Sequence, residues 1–159
     1  MIYLKDVSLR GKHNLSNFLA AATASNLLNI DSNSIGKVMS SFPSVEHRIE
    51  FVDNLEGVEF YNDSKATNVE SVEVALKSFD NPLLVIMGGL DKGGDFRQLI
   101  PFMKSNVKKI VLVGKAAGII AEAFSGVVPT QNARDIYSAV QIAFQLAQSG
   151  DVVLLSPGC

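Results

Sequence analysis

Five consecutive apolar residues, Leu83-Leu84-Val85-Ile86-Met87, lie between Asn81-Pro82 and Gly88-Gly89. A run this short and this uniformly apolar suits a strand buried on both faces. Ile110 to Val113 and Val152 to Leu155 have the same character, and Val127-Val128 reads as a shorter strand of the same kind. Helical periodicity fills the intervals. It is carried by Val69, Val72 and Leu76; by Phe96, Leu99, Ile100 and Met103; by Gly118 to Phe124; and by Ile136, Ala139, Val140, Ala143 and Ala147. Buried strands alternating with amphipathic helices specify an α/β fold, here a Rossmann-like, mostly parallel sheet with helices on both faces.

The earlier part of the chain does not share this alternation. Ile2 to Leu9 reads as a strand, and Leu15, Phe18, Leu19 and Ala22 mark a helix from about Asn14. Ile35, Val38, Met39 and Phe42 mark a second, with Asp31 or Ser32 as N-cap and Pro43 closing it. One strand and two helices cannot enclose a core, so residues 1–46 read as the end of another domain. Ile49 to Val52 and Val58 to Tyr61 then form a strand pair around a turn at Gly57. They open a second domain, 47–159.

The 159 residues are 47% hydrophobic and 19% charged, which is enough apolar material for a packed core. The net charge of −2 supplies no basic field for nucleic acid. No apolar run is long enough to span a membrane. The N-terminus lacks a signal-peptide pattern, and the single cysteine, Cys159, forms no internal disulfide, which suits a reducing cytoplasm. Two histidines and one cysteine are too few for a His/Cys metal site. Neither phosphate-loop nor dinucleotide glycine fingerprints are present.

Chemistry concentrates in Asn62-Asp63-Ser64-Lys65-Ala66-Thr67-Asn68. The cluster sits between an apolar strand and a helix, where open α/β sheets bind ligands. Thr67-x-x-Glu70 also fits a helix capping box, which would occupy the Thr67 hydroxyl. Lys65 has no such structural employment. A second turn, Gly88-Gly89-Leu90-Asp91-Lys92-Gly93-Gly94-Asp95, has four glycines that permit close approach of a ligand, and Lys92 in its middle. The alternative is a plain loop with Asp95 capping the next helix. Asn14 and Asn17 share one face of a helical turn; their carboxamides could pair with an adenine edge, or Asn14 could simply cap the helix. His47-Arg48 marks the domain boundary, with Arg48 offering a fork of donors to phosphate or carboxylate.

In order along the chain stand Gly11-x-His13-Asn14-x-x-Asn17, His47-Arg48, Asn62 to Asn68, Gly88-Gly89-x-x-Lys92 and Leu154-Leu155-Ser156-Pro157. Together these blocks resemble the Mur ligases, and most specifically the branch that adds D-glutamate to UDP-N-acetylmuramoyl-L-alanine in peptidoglycan precursor synthesis. The resemblance covers essentially this whole chain and about the last third of a family member. It implies a bacterial, cytoplasmic, ATP-dependent amide ligase with three domains, of which the present chain holds the end of the central ATP-binding domain and the amino-acid-binding domain. On that resemblance, Asn14 and Asn17 contact adenine, and Arg48 and Asp63 approach the nucleotide's ribose and phosphates. Lys65, Thr67 and Lys92 bind D-glutamate, with Lys65 also catalytic. The Mg²⁺ ligands fall in the missing central domain.

Two departures accompany the resemblance. The phosphate loop is not in the chain, and the sequence stops before the family's further serine and phenylalanine that help hold D-glutamate. Both are expected of a truncated protein. A related amino-acid ligase, such as a folylpolyglutamate synthase, or a non-catalytic α/β ligand-binding module, stays open at this level. The chain alone is expected neither to hydrolyse ATP nor to form an amide, because nothing in it positions a γ-phosphate for in-line attack. A phosphate-release assay on the purified chain checks this; clear magnesium-dependent release would contradict it.

Overall fold

Leu83–Gly89 is a central strand of a six-stranded sheet whose strands lie in the order Glu50–Leu55, Val58–Asn62, Val152–Leu155, Leu83–Gly89, Val107–Gly114, Thr130–Asn132. In the computed structural model, which describes residues 12–43 and 45–159, the chain divides into two compact units, Met1–Val45 and Glu46–Cys159. The second contains the whole sheet: β1 Glu50–Leu55, β2 Val58–Asn62, β3 Leu83–Gly89, β4 Val107–Gly114, β5 Thr130–Asn132 and β6 Val152–Leu155. All neighbouring strands are parallel except the β1–β2 pair. The sheet is therefore the mostly parallel one that the apolar runs imply.

Side chains alternate across β3, and each set meets a different cover. Leu83, Val85 and Met87 join Val72 and Leu76 of α3 (Val69–Leu76), Met103 of α4 (Ile100–Asn106) and Ile120 of α5 (Ala117–Ala123) in one core. Leu84 and Ile86 face the other way, against Ala139 and Ala143 of α6 (Ile136–Leu146). Two-sided burial is why this strand carries no polar residue. The turn joining β1 to β2 has positive φ at both Glu56 (54°) and Gly57 (82°), the hand that matches strand twist in a two-residue hairpin.

The fifth strand departs from the sequence reading. Val127-Val128 is not a strand; the strand is Thr130–Asn132, and all three of its residues are exposed. It lies at the sheet edge and pairs only with β4. An edge position needs no apolar side chains, whereas Val128 is 7% exposed and fills the core from the preceding turn. The apolar signal marked packing, not pairing.

In the first unit, α1 (Lys12–Leu27) and α2 (Ser32–Ser41) form a helical pair. Asp31 is the N-cap of α2, with its Oδ1 accepting from the Asn33 and Ser34 amides. Phe18 of α1 is buried and meets Phe42 edge to face at 6.2 Å between ring centres. The strand expected over Ile2 to Leu9 lies outside the described residues. No helix among the described residues is long and apolar enough to cross a membrane.

At the carboxyl end of β3 the backbone leaves no room for a side chain. Gly88 has φ of 130°, and a Cβ there would lie 1.8 Å from the Val113 carbonyl oxygen on β4. Gly93, in the loop beyond, also has positive φ (80°), but a Cβ there would meet nothing within 4 Å. Gly88→Ala is expected to cost roughly 3 kcal/mol or more, because clash adds to backbone strain. Gly93→Ala is expected to cost about 1 kcal/mol from strain alone. Urea unfolding of the two variants checks the ranking, and equal losses would contradict it.

Candidate functional site

Parallel pairing brings the ends of β2, β6, β3 and β4 level. Asn62 pairs with Leu155, Leu155 with Ile86, and Gly89 with Gly114. The loops that follow β2 and β3 therefore leave the same edge of the sheet, and the segment after β6 runs between them. The Gly158 amide donates to the Ala66 carbonyl at 2.8 Å, and the Gly88 amide to the Pro157 carbonyl at 3.0 Å. The two charged turns picked out in the sequence are thus tied to one backbone segment.

Asp63 anchors the first turn. Its amide donates to the Leu155 carbonyl at 2.8 Å. Its carboxylate is 6% exposed: Oδ2 accepts from Ser156 Oγ at 2.9 Å, and Oδ1 from the Ile49 amide at 3.2 Å. Burial pushes its pKa up, while these two hydrogen bonds and the charge of Arg48 oppose the rise. Lys65 and Thr67 are both exposed on the turn that Asp63 holds. The Lys65 amide donates to the His47 carbonyl at 3.1 Å.

The helix cap is not where the sequence pattern put it. Asn68, not Thr67, is the N-cap of α3, with its Oδ1 accepting from the Ser71 amide at 2.8 Å. The register is one residue later than Thr67-x-x-Glu70 suggests, so capping does not consume the Thr67 hydroxyl. In the second turn, Asp95 caps the 3-10 turn Phe96–Leu99 through the Arg97 amide, and Asp91 Oδ1 accepts from the Gly93 amide. Lys92 is exposed. Cys159 has its thiol pKa pushed up by burial and by the charge of Asp91, and eased by the charge of Lys92.

The first unit has a cavity of its own. A cavity of ≈ 420 Å³ between α1 and α2 is lined by Asn14, Asn17, Phe18, Ile35, Met39 and Phe42, among others. Asn14 lies inside α1, so it is not the helix N-cap. Two carboxamides at a pocket with aromatic and aliphatic walls can bind a flat heteroaromatic ring by its edge and its faces.

A family model described as "Mur ligase, glutamate ligase domain" matches residues 47–159. The chain belongs to the Mur ligase family. A UDP-N-acetylmuramoylalanine–D-glutamate ligase of Solibacter usitatus is 45% identical over 154 residues, covering 97% of this chain and 35% of the relative. The corresponding ligase of Clostridioides difficile is 43% identical, covering 97% of this chain and 35% of the relative. Among solved structures, UDP-N-acetylmuramate-alanine ligase from Thermotoga maritima matches with a TM-score of 0.76 at 13% identity, over 96% of this chain and 36% of that one. That likeness concerns the fold. The chain spans about a third of the length of the relatives it matches.

This Mur ligase segment contains site components that residue type alone did not disclose. Ser156, fully buried, was visible only as part of the Leu154-Leu155-Ser156-Pro157 block. Asn62 receives the Ser64 amide on Oδ1 and reaches the His47 ring with Nδ2. The Asn62–His47 and Ser156–Asp63 contacts leave no mark in local sequence, because their partners lie 15 and 93 residues apart in the chain.

The raised pKa of Asp63 gives a signed pH effect. Its contribution to stability is fully present below the ordinary value of 3.8 and is lost as pH rises through the higher folded-state value. Asp63→Asn keeps an acceptor for Ile49 and a donor toward Ser156 without the charge. The stability of the wild type minus that of Asp63→Asn is expected to fall as pH rises from about 3, then to level off above the raised pKa. Other carboxylates, including Asp135 with its pKa lowered to about 2, are common to both proteins and cancel. Urea unfolding from about pH 3 to about pH 7 measures the difference, and a rising or flat trend would contradict it.

Proposed function

We propose that this chain is the C-terminal part of an ATP-dependent ligase that joins D-glutamate to UDP-N-acetylmuramoyl-L-alanine. The observation that carries the reading is the Asn62 to Asn68 turn. It leaves Lys65 and Thr67 exposed at the carboxyl edge of a sheet matching a glutamate ligase domain. Relatives 45% and 43% identical are named as D-glutamate ligases, which favours this branch over other amino-acid ligases. On this reading, residues 1–46 close the central ATP-binding domain and 47–159 form the amino-acid-binding domain. The enzyme works in the bacterial cytoplasm, and its partners are the two substrates and the preceding domains of the same protein.

The reaction is amide formation through an acyl phosphate. Phosphoryl transfer from ATP activates the carboxylate of the UDP-linked substrate. The D-glutamate amine attacks the activated carbonyl, negative charge develops on the tetrahedral intermediate, and inorganic phosphate leaves. Lys65 stabilises that charge, and fixed cations of this kind supply much of the rate in such reactions. Thr67 and Lys92 hold D-glutamate, Lys92 as a point charge for a carboxylate and Thr67 as a hydrogen-bonding hydroxyl. Arg48 serves the nucleotide phosphates, and Asp63 belongs to the same nucleotide-binding group. The carboxamides of Asn14 and Asn17 read the adenine edge in the cavity of the first unit, whose apolar walls fit its ring. Mg²⁺ supplies charge neutralisation at the phosphates when bound. On the family resemblance its ligands are assigned to the preceding part of the central ATP-binding domain.

Lys65 is the decisive residue. In an intact ligase containing this chain, Lys65→Ala is expected to lower turnover roughly 10²-fold or more, the scale seen when one preorganised electrostatic donor is lost. Thermal stability should change little, because the side chain is exposed. Steady-state kinetics with thermal melting checks both. Near-normal turnover would overturn the catalytic role, and a large melting shift would make Lys65 structural.

A further inference from the structure

Arg48 sits on a turn whose backbone is unfavourable on both sides of it. His47 has φ of 66° and Ile49 has φ of 45°. A β-branched residue at positive φ is an outlier, and such conformations persist only where the surroundings over-determine them. The surroundings do so here. The His47 amide donates to Glu50 Oε2 at 2.8 Å, and its carbonyl accepts from the Lys65 amide at 3.1 Å. Asn62 Nδ2 donates to His47 Nδ1 at 2.9 Å. The Ile49 amide is held by Asp63 Oδ1, whose other oxygen is fixed by Ser156. These bonds fall on the two neighbours of Arg48. The Arg48 side chain itself is exposed and makes no ion pair among the described residues.

We propose that Asn62, Asp63 and Ser156 are positioning residues that clamp the strained His47–Ile49 turn and so aim the Arg48 guanidinium at a phosphate group. The inference rests on the nucleotide-phosphate role given to Arg48 above. It gives Asp63 a positioning task beside its place in the nucleotide-binding group: each carboxylate oxygen of this buried side chain holds a protein donor. The Lys65 amide bond to His47 adds a consequence. Arg48 and Lys65 belong to one backbone-locked frame, so the cation assigned to phosphate and the cation assigned to the reacting carbonyl keep a fixed spacing. Productive geometry in group transfer depends on such fixed spacing.

The clamp predicts a sign opposite to that of simple electrostatics. Removing a carboxylate near Arg48 should strengthen binding of an anion if charge alone matters. If Asp63 aims Arg48, removing it should weaken binding. The probe is inorganic pyrophosphate, which has no ribose, titrated calorimetrically into the full 159-residue chain. Arg48→Ala is expected to weaken binding roughly tenfold, as loss of a bidentate charged donor does. Asp63→Ala and Ser156→Ala are expected to weaken it toward the same level, and Asp63→Ala combined with Arg48→Ala no further than Arg48→Ala alone. Asp63→Asn, which retains the acceptor for Ile49, is expected to recover most of what Asp63→Ala loses.

Amide hydrogen exchange separates release of the turn from general unfolding. In Asp63→Ala and Ser156→Ala, Ile49 should exchange faster while Ile86, in the buried centre of β3, keeps its protection. Unchanged or tighter pyrophosphate binding by Asp63→Ala, or fully additive losses in the double variant, would overturn the clamp and leave the phosphate role of Arg48 standing. Parallel acceleration at Ile49 and Ile86 would make these residues structural only, again overturning it. If the wild-type chain fails to bind pyrophosphate, the phosphate role of Arg48 falls, and the clamp falls with it.

Discussion

The hydrogen bond from Ser156 to Asp63 joins two points 93 residues apart, and the site is arranged around it. β2 and β6 are sheet neighbours, so the end of one strand can reach the first residue past the other. The bond fixes a buried carboxylate that also receives the Ile49 amide. A buried charge is costly when a partner is lost, since the remaining group is left without compensation. Two donors and the nearby Arg48 charge moderate that cost here, and burial still dominates the shift in pKa. The turn bearing Lys65 and the segment bearing Arg48 both meet this anchored side chain, and the Lys65 amide ties them to each other through the His47 carbonyl.

The sheet supplies the second constraint. Strands buried on both faces must be joined by crossings over those faces, and in parallel sheets every crossing starts from the same edge. Chemistry-bearing turns after β2 and β3 therefore converge although they are separated in sequence. Gly88 lets the end of β3 lie against the Val113 carbonyl, and this tight contact sets where the Lys92 loop departs. The apolar core and the polar rim are two outcomes of one topology: the centres of the strands pack, and their carboxyl ends present functional groups.

Edges and caps show where pattern and packing diverge. Val127 and Val128 have strand-like side chains, yet the chain pairs through Thr130–Asn132, because an edge strand gains its hydrogen bonds regardless of side-chain polarity. Thr67 fits a capping pattern, yet Asn68 provides the cap, one residue along. Spacing alone favours Asn14 as a helix cap over a ligand contact, yet it lies inside α1 at a cavity shared with Phe18 and Phe42.

The sequence by itself determined the α/β class, the mostly parallel sheet and the positions of its central strands. Uninterrupted apolar runs such as Leu83 to Met87 admit few other environments. It also identified the two charged turns, since lysines, hydroxyls and glycines placed directly after such runs have no role in a core. Tertiary structure alone decided that Asp63 is buried, that Ser156 is its partner, and that His47 and Ile49 carry positive φ beside an exposed Arg48. These facts depend on contacts between residues far apart in the chain. Local periodicity carries no information about which distant donor will complete a buried acceptor, and only the packed sheet makes that choice.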